Sequence, residues 1–225
     1  MASLMGKETA AQGRQTLILA TRVSKETEVE VELGLFPGAI MINTGIGFLD
    51  HLLTSLAFHA GWSLRLDCKG DIEIDDHHSA EDCAITLGGA FREALADRGA
   101  IKRFGSAFAP LDEALARAVV DVSGRPFCEV ALQLQREMIG ELASENVAHF
   151  LQSFAMNAGI TVHVDLLKGT NDHHKAEAAF KALALALREA LAPAFAPTDG
   201  GDLAAGETAA STKGKAVIRI SRKTE

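Results

Sequence analysis

Tyrosine is absent from this sequence, tryptophan occurs once, and aromatics make up only 5% of its residues. Alanine and glycine are plentiful instead, and 225 residues with 48% apolar content suffice for a real core, in one large domain or two small halves. No apolar run approaches the length of a membrane span, which excludes a transmembrane helix. Nor is there an excess of positive charge: the formal net charge is −8, which argues against non-specific nucleic-acid binding. The opening stretch MASLMGKETAAQGRQ has neither the apolar centre of a secretory signal nor the arginines of a transit helix. Cysteine is scarce, with Cys68, Cys83 and Cys128 in apolar contexts and no Cys-x-x-Cys spacing. An odd number of such residues without a secretory signal is expected to mean buried free thiols in a reducing compartment, hence a cytoplasmic protein without a cysteine nucleophile.

What the sequence does have is one phrase written twice. Residues 75–85 read DDHHSAEDCAI and residues 171–181 read NDHHKAEAAFK. Each holds a histidine pair with a glutamate three residues beyond it. Upstream, HLLTSLAFHAGWSLRLD (51–67) aligns without gaps to HFLQSFAMNAGITVHVD (149–165). The shared positions are His51/His149, Leu53/Leu151, Ser55/Ser153, Ala57/Ala155, Ala60/Ala158, Gly61/Gly159 and Asp67/Asp165. Matches in the same order identify a duplicated unit.

The apolar spacing of 51–60 and 149–158 predicts helices that stop at Ala-Gly. WSLRLDC and ITVHVDLL alternate as strands do, as do TEVEVELGL (27–35), ARAVVDV and FCEVALQLQ. Residues 77–97 and 173–192 read as long Ala- and Leu-rich helices, the second ending at Pro193. The fold class is therefore α+β: strands, helix, strand, helix in each half, with sheets packed against helices. The expected organisation is a disordered N-terminus at 1–15, repeat halves at 16–100 and 101–192, a flexible Pro/Gly/Ala-rich linker at 193–210 and a tail at 211–225.

Histidine placement carries the chemistry. Six of the eight histidines match between halves: 51 with 149, 77 with 173, 78 with 174. On a helix, residues four apart share a face, which groups His77 with Glu81, and His78 lies three from Glu81. Adjacent imidazoles diverge by roughly 100°, so the two members of a pair are suited to two ions rather than one. A single such pair is usually a solvated surface feature. Repetition, with a matched upstream histidine in each half, favours two metal sites of about four protein ligands each. Imidazole with carboxylate suits Mn, Fe, Zn or Ni and excludes a thiolate site, and open positions on an octahedral ion would admit a substrate. His163, in a strand, is expected to be packed or hydrogen-bonded. His59, whose counterpart is Asn157, either faces substrate or is merely exposed.

These segments together resemble the imidazoleglycerol-phosphate dehydratase family. The resemblance runs from about residue 20 to 192 through RVSKETEVEVEL, NTGIGFLDHLL, DDHHSAEDCAITLG, RFGSAFAPLDEALARAVVDVSGRPF and the second repeat, and resumes at STKG (211–214). The GIGFLDH and NDHH regions look most like fungal members. The resemblance implies a carbon–oxygen hydro-lyase of histidine biosynthesis that turns imidazole glycerol phosphate into imidazole acetol phosphate and water. It implies two Mn ions per active site and a homo-oligomer of 24 subunits acting on a small phosphate substrate, with no nucleic-acid or membrane partner. By motif, the metal ligands would be His51, His77, His78, Glu81, His149, His173, His174 and Glu177. Of these, His51, His77, Glu81 and His173 would also contact substrate. Glu26 in SKET, His59, Arg103, Arg125, Lys181 and the run Ser211, Thr212, Lys213 would bind substrate, the arginines and Lys213 at its phosphate.

The proton lost in such a dehydration lies on a carbon beside the imidazole ring and is weakly acidic unless charge can spread into the ring. Glu177 is the expected catalytic base, with Glu26 serving the departing water, and Glu177 also among the metal ligands. Two rival readings stay open on the residues alone. One is a dinuclear lyase or isomerase acting on another sugar-like phosphate. The other is a metal-binding structural oligomer, which has no need of Arg103, Arg125 and Lys213.

Overall fold

The period-two segments form sheets with one face to bury. β2 (Thr27–Gly34) buries Val29, Val31 and Leu33 and turns Glu28 and Glu30 outward, and β4 (Ser63–Gly70) buries Leu64, Leu66 and Cys68. The computed structural model describes residues 16–96 and 99–194. The expectations for 1–15, for the linker beyond residue 194 and for the tail with Ser211, Thr212 and Lys213 fall outside these residues. Residues 193 and 194, read as the start of the linker, are bonded to the chain instead: Pro193 bridges Ile101, and the Ala194 amide donates to the Ala100 carbonyl at 3.0 Å.

The first half runs β1 (Ile18–Val23), β2, β3 (Ile40–Asn43), α1 (Gly47–Ala60), β4 and α2 (His77–Ala96). The second runs β5 (Phe104–Leu111), β6 (Ala114–Asp121), β7 (Phe127–Ala131), the small ribbon β8 (Met138–Ile139) and β9 (Leu142–Ala143), then α3 (Ser144–Ala158), β10 (Thr161–Lys168) and α4 (Asp172–Ala190). The sheets repeat one topology, β1-β2-β4-β3 and β5-β6-β10-β7. In each, a hairpin pairs antiparallel with the strand after the first helix, and that strand pairs parallel with the one before it. A parallel pair needs a crossover, and α1 and α3 supply it.

Alternation also settles one histidine. Val162 and Val164 take the buried side of β10, so His163 is exposed on the outer face, its ring 5.5 Å from that of Phe127. The α1 and α3 helices end where the sequence places their stops, at Gly61 (φ 71) and Gly159 (φ 70), in the left-handed region that glycine adopts without a Cβ clash. Cys68 and Cys83 are buried and free, and Cys128 is half-buried, its thiol pushed up to about 12 by burial. That shift keeps Cys128 protonated at neutral pH and unsuited to nucleophilic attack.

Each repeat's second helix lies on its own sheet and also packs against the other repeat's first helix, α2 on α3 and α4 on α1. One continuous core joins the halves, lined in α4 by Ala176, Ala179, Ala182, Ala186 and Ala190. Small residues allow close approach. A Cβ on Gly88 of α2 would stand 2.6 Å from the Phe154 carbonyl oxygen and 3.0 Å from the Ala158 nitrogen, both in α3. These are backbone atoms and cannot swing aside, so Gly88→Ala forces the helices apart. We expect a loss of about 1–3 kcal/mol, read as a melting temperature lower by roughly 2–4 °C per kcal/mol. An unchanged melting temperature would show that this contact tolerates a methyl group.

Candidate metal centre

Two compact clusters sit where the repeats meet. One joins His51 of α1 to His173 and Glu177 of α4, and the other joins His149 of α3 to His77 and Glu81 of α2. Each therefore takes one histidine from one repeat and a His-x-x-x-Glu turn from the other. Glu177 Oε2 lies 3.0 Å from His51 Nε2 and 3.3 Å from His173 Nε2, while Glu81 Oε1 lies 3.0 Å from His149 Nε2. Ligands about 2.1 Å from one ion and at right angles to each other stand about 3 Å apart, so donor type and spacing both fit a divalent transition metal.

Among the described residues, His78 and His174 join neither cluster. The ring planes of His77 and His78 lie 70° apart, and those of His173 and His174 lie 86° apart. Among the described residues each cluster thus has three protein donors, against the expected four or so, and Glu81 partners His149 rather than His78. His78 and His174 are nevertheless oriented alike. The His78 Nδ1 lies 3.2 Å from both carboxylate oxygens of Asp71, and the His174 Nδ1 lies 2.8 Å from Glu113 Oε2. A carboxylate accepts only, so Nδ1 carries the proton and Nε2 keeps its lone pair for another partner. Metal-ligating histidines are generally oriented this way. The Asp71 hydrogen bond raises the His78 pKa, and the Glu113 hydrogen bond raises that of His174. Glu113 is held well below the usual carboxylate range, first by His174 and then by the Asn171 amide.

The clustered residues have supports that differ between repeats. The His77 Nδ1 is 2.9 Å from the Oδ1 of Asn146, a buried residue of α3, whereas the His173 ring lies 4.9 Å from that of Phe48. Glu177 accepts from Lys181 Nζ at 2.8 Å. Burial works to raise the Glu177 pKa, but hydrogen bonds from Lys181 and His51 outweigh it and hold the carboxyl at about 2. Just ahead of each histidine pair, a buried aspartate pins the neighbouring chain. Asp76 accepts from the Ala143 amide at 2.6 Å, and Asp172 from the amides of Gln135 and Arg136, both at 2.7 Å. Neither Asn146 nor these aspartates were singled out from the sequence, although Asp76/Asp172 match between the repeats.

The remaining expected residues fall into two groups. Glu26, on the β1–β2 turn, has its Oε2 3.9 Å from His78 Nε2. His59 is half-buried on α1, and its pKa is lowered by burial and then by the charges of Lys181 and Arg188, which places it beside α4. Arg103 and Arg125 come together around Asp121, at 2.7 Å and 3.7 Å. They sit at the C-terminal end of α4, away from Glu177, because the Arg103 amide bonds the carbonyl of Ala190, at the last turn of α4. Ala190 lies thirteen residues along the helix from Glu177, about 20 Å at 1.5 Å per residue. No helix among the described residues is long and apolar enough to cross a membrane.

Known proteins match this chain along most of its length. The family model described as imidazoleglycerol-phosphate dehydratase matches residues 44–187. The imidazoleglycerol-phosphate dehydratase of Candida glabrata is 55% identical over 191 residues, covering 76% of this chain and 91% of that protein. That of Saccharomyces cerevisiae is 58% identical over 169 residues, covering 75% and 77%. Among solved structures, imidazoleglycerol-phosphate dehydratase from Staphylococcus aureus superposes with a TM-score of 0.73 at 37% identity, covering 80% of this chain and all of that one.

The His174–Glu113 pair predicts a pH signature in metal-free protein. His174, with its pKa raised above 6.5, contributes stability that is full below 6.5 and is lost as pH rises through its folded value. Glu113, with its pKa depressed below 4.5, contributes stability present above 4.5 that is lost as pH falls through its folded value. NMR titration of metal-free protein should find the His174 ring titrating above 6.5, and Glu113→Gln should bring it back toward 6.5. An equal midpoint in both proteins would refute the pairing.

Proposed function

The chain belongs to the imidazoleglycerol-phosphate dehydratase family, and from that premise we propose how this molecule removes water from imidazole glycerol phosphate to give imidazole acetol phosphate in histidine biosynthesis. The observation that carries the reading is the pair of cross-repeat His, His, Glu clusters, each with donors about 3 Å apart. Two divalent ions, manganese by the family resemblance, would be held by His51, His173 and Glu177 and by His77, Glu81 and His149. Such an ion, when bound, supplies a Lewis acid able to draw charge from the substrate's imidazole ring. The chain's own side chains do the rest.

Proton removal is assigned to Glu26. A general base works best with a pKa near the operating pH. Glu177, the base expected from sequence, is held at about 2 by Lys181 and His51, lies 3.3 Å from His173 and is better suited to ligation. The half-exposed Glu26 carboxylate faces His78 Nε2, the nitrogen left available for an ion, so it lies next to where the ring would bind. Having taken the carbon-bound proton, the same carboxyl can return it to the departing hydroxyl as water leaves. Lys181 and His59 border the α4 side of the cluster, where they can bind the polyol chain.

A complete site needs more than one copy. A three-carbon phosphate chain cannot span the roughly 20 Å of helix between Glu177 and Arg103. Arg103 and Arg125 would therefore grip the phosphate of a substrate whose ring lies at another copy's cluster. His78 and His174, each with Nδ1 held by a carboxylate, would complete clusters on neighbouring copies through Nε2. Phe104, Phe108 and Phe127, more than half exposed on the second sheet, offer apolar surface for such assembly. The family resemblance extends this to a cytoplasmic assembly of 24 subunits, with Ser211, Thr212 and Lys213 adding further phosphate donors.

Glu26→Gln should keep its full complement of metal yet lose turnover by about 100-fold or more, whereas Glu177→Gln should lose bound metal along with activity. Metal analysis beside steady-state kinetics separates the two, and near-normal turnover in Glu26→Gln would return the base to Glu177. Assembly is tested by mixing. Arg103→Ala and His149→Ala, each impaired alone, should recover activity when chelated, combined and reassembled with Mn, because some mixed sites draw both native residues. Chelation itself should yield smaller species by light scattering. A mixture no more active than its components would place each site within a single chain.

A further inference from the structure

Asp82 follows Glu81 on α2 but faces the opposite way, into the first sheet, where its side chain is only 6% exposed. Its Oδ1 accepts from Arg22 Nε at 2.7 Å, and its Oδ2 accepts from Thr27 Oγ1 at 2.5 Å. Arg22 lies at the end of β1 and Thr27 at the start of β2, so one carboxylate grips both arms of the hairpin. Between the arms, Ser24 Oγ accepts from the amides of Glu26 and Thr27 at 3.1 Å and 3.0 Å. The Glu26 carbonyl accepts from the Asp71 amide at 3.1 Å, and Asp71 is the residue that orients His78. Glu26 is thus tied to the histidine helix from two sides, and the Asp82 side is a direct link from that helix to the turn.

Burying a carboxylate is costly unless it is paired and hydrogen-bonded. The other repeat does without one: the residue after Glu177 is Ala178, fully buried. There the hairpin turn is held by its own carboxylate, because Glu113 accepts from the amides of Thr170 and Asn171 and binds His174. A turn carboxylate used as a strut is not available for proton transfer. In the first repeat Asp71 orients the histidine and Asp82 braces the turn, and among the described residues the Glu26 carboxylate comes no nearer than 3.9 Å to a basic nitrogen, that of His78.

We propose that Asp82 is a positioning residue for the dehydration, holding the Glu26 carboxylate at the His78 face through Thr27 and Arg22. The proposal rests on the assignment of Glu26 made above. It is tested with Asp82→Ala, Thr27→Val and Glu26→Gln, singly and combined, in Mn-loaded full-length protein, reading kcat, KM, metal content and melting temperature. Asp82→Ala and Thr27→Val are expected to lower kcat about tenfold or more, as displacement of a catalytic group does, with metal content unchanged and KM shifted much less. In the Glu26→Gln background, either change should lower the residual kcat less than about threefold, since there is no base left to misplace. Thr27→Val keeps the side chain's shape, so it carries the test if Asp82→Ala does not fold. Losses that multiply across the pair, or that follow metal content, overturn the proposal and leave Glu26 as the base. Near-normal kcat in Glu26→Gln alone overturns that assignment and the proposal together.

Discussion

Contact between helices of opposite repeats fixes the position of every clustered side chain. His51 and His149 reach their partners only because α1 packs on α4 and α3 on α2. That approach depends on small side chains. The alanines of α4 and the bare Cα of Gly88 bring backbones near enough for a histidine on one helix to stand 3.0 Å from a glutamate on another. Dense packing also limits relaxation, so the helix contacts themselves set the spacing of the donors. The abundance of alanine and glycine noted in the composition is thus a requirement of the site as well as of the core.

Orientation is a separate problem from position, and the molecule solves it by giving each imidazole a partner for one nitrogen. Asp71 and Glu113 take Nδ1 of His78 and His174, Asn146 takes Nδ1 of His77, and Phe48 packs against the ring of His173. A carboxylate and an amide oxygen each accept one N–H and leave the other nitrogen as a donor of electrons. Buried Asp76 and Asp172 then hold the neighbouring chain against the start of each histidine helix. The buried aspartates near the clusters, Asp76, Asp82 and Asp172, are engaged with amides, a hydroxyl and cations, as their desolvation demands.

Much of this was legible in the sequence, and the limits have a common cause. Duplication exposed His51/His149, His77/His173 and Glu81/Glu177 because symmetry marks what both halves share. Asn146 and Asp82 escaped for the same reason, since Phe48 and Ala178 stand opposite them. β2, β4 and β10 were readable from alternation. β1, β3 and β5 were not: β3 has four residues, and β5 carries glycine and proline. The divergence of each histidine pair follows from helical geometry, but which member meets the other repeat depends on how the helices dock. His163 could have been placed by strand parity alone, because its neighbours Val162 and Val164 claim the inner face. The separation of Arg103 from Glu177 needed the course of α4 through the fold.

The exchange of ligands between halves has a bearing on descent. Neither repeat can build a cluster by itself, yet two copies of one repeat, facing each other about a two-fold axis, would build both, identical and equally occupied. A free-standing unit of this kind would therefore be useful only as a pair. Joining two such units in one chain preserves the arrangement and removes the obligation that they stay alike. The present chain has used that liberty: Lys181 stands beside one glutamate where Ile85 occupies the matching place, and Glu113 braces a turn whose counterpart keeps Glu26 clear. One chain with two unlike halves can give clusters of the same donors different surroundings, which is what an asymmetric substrate requires.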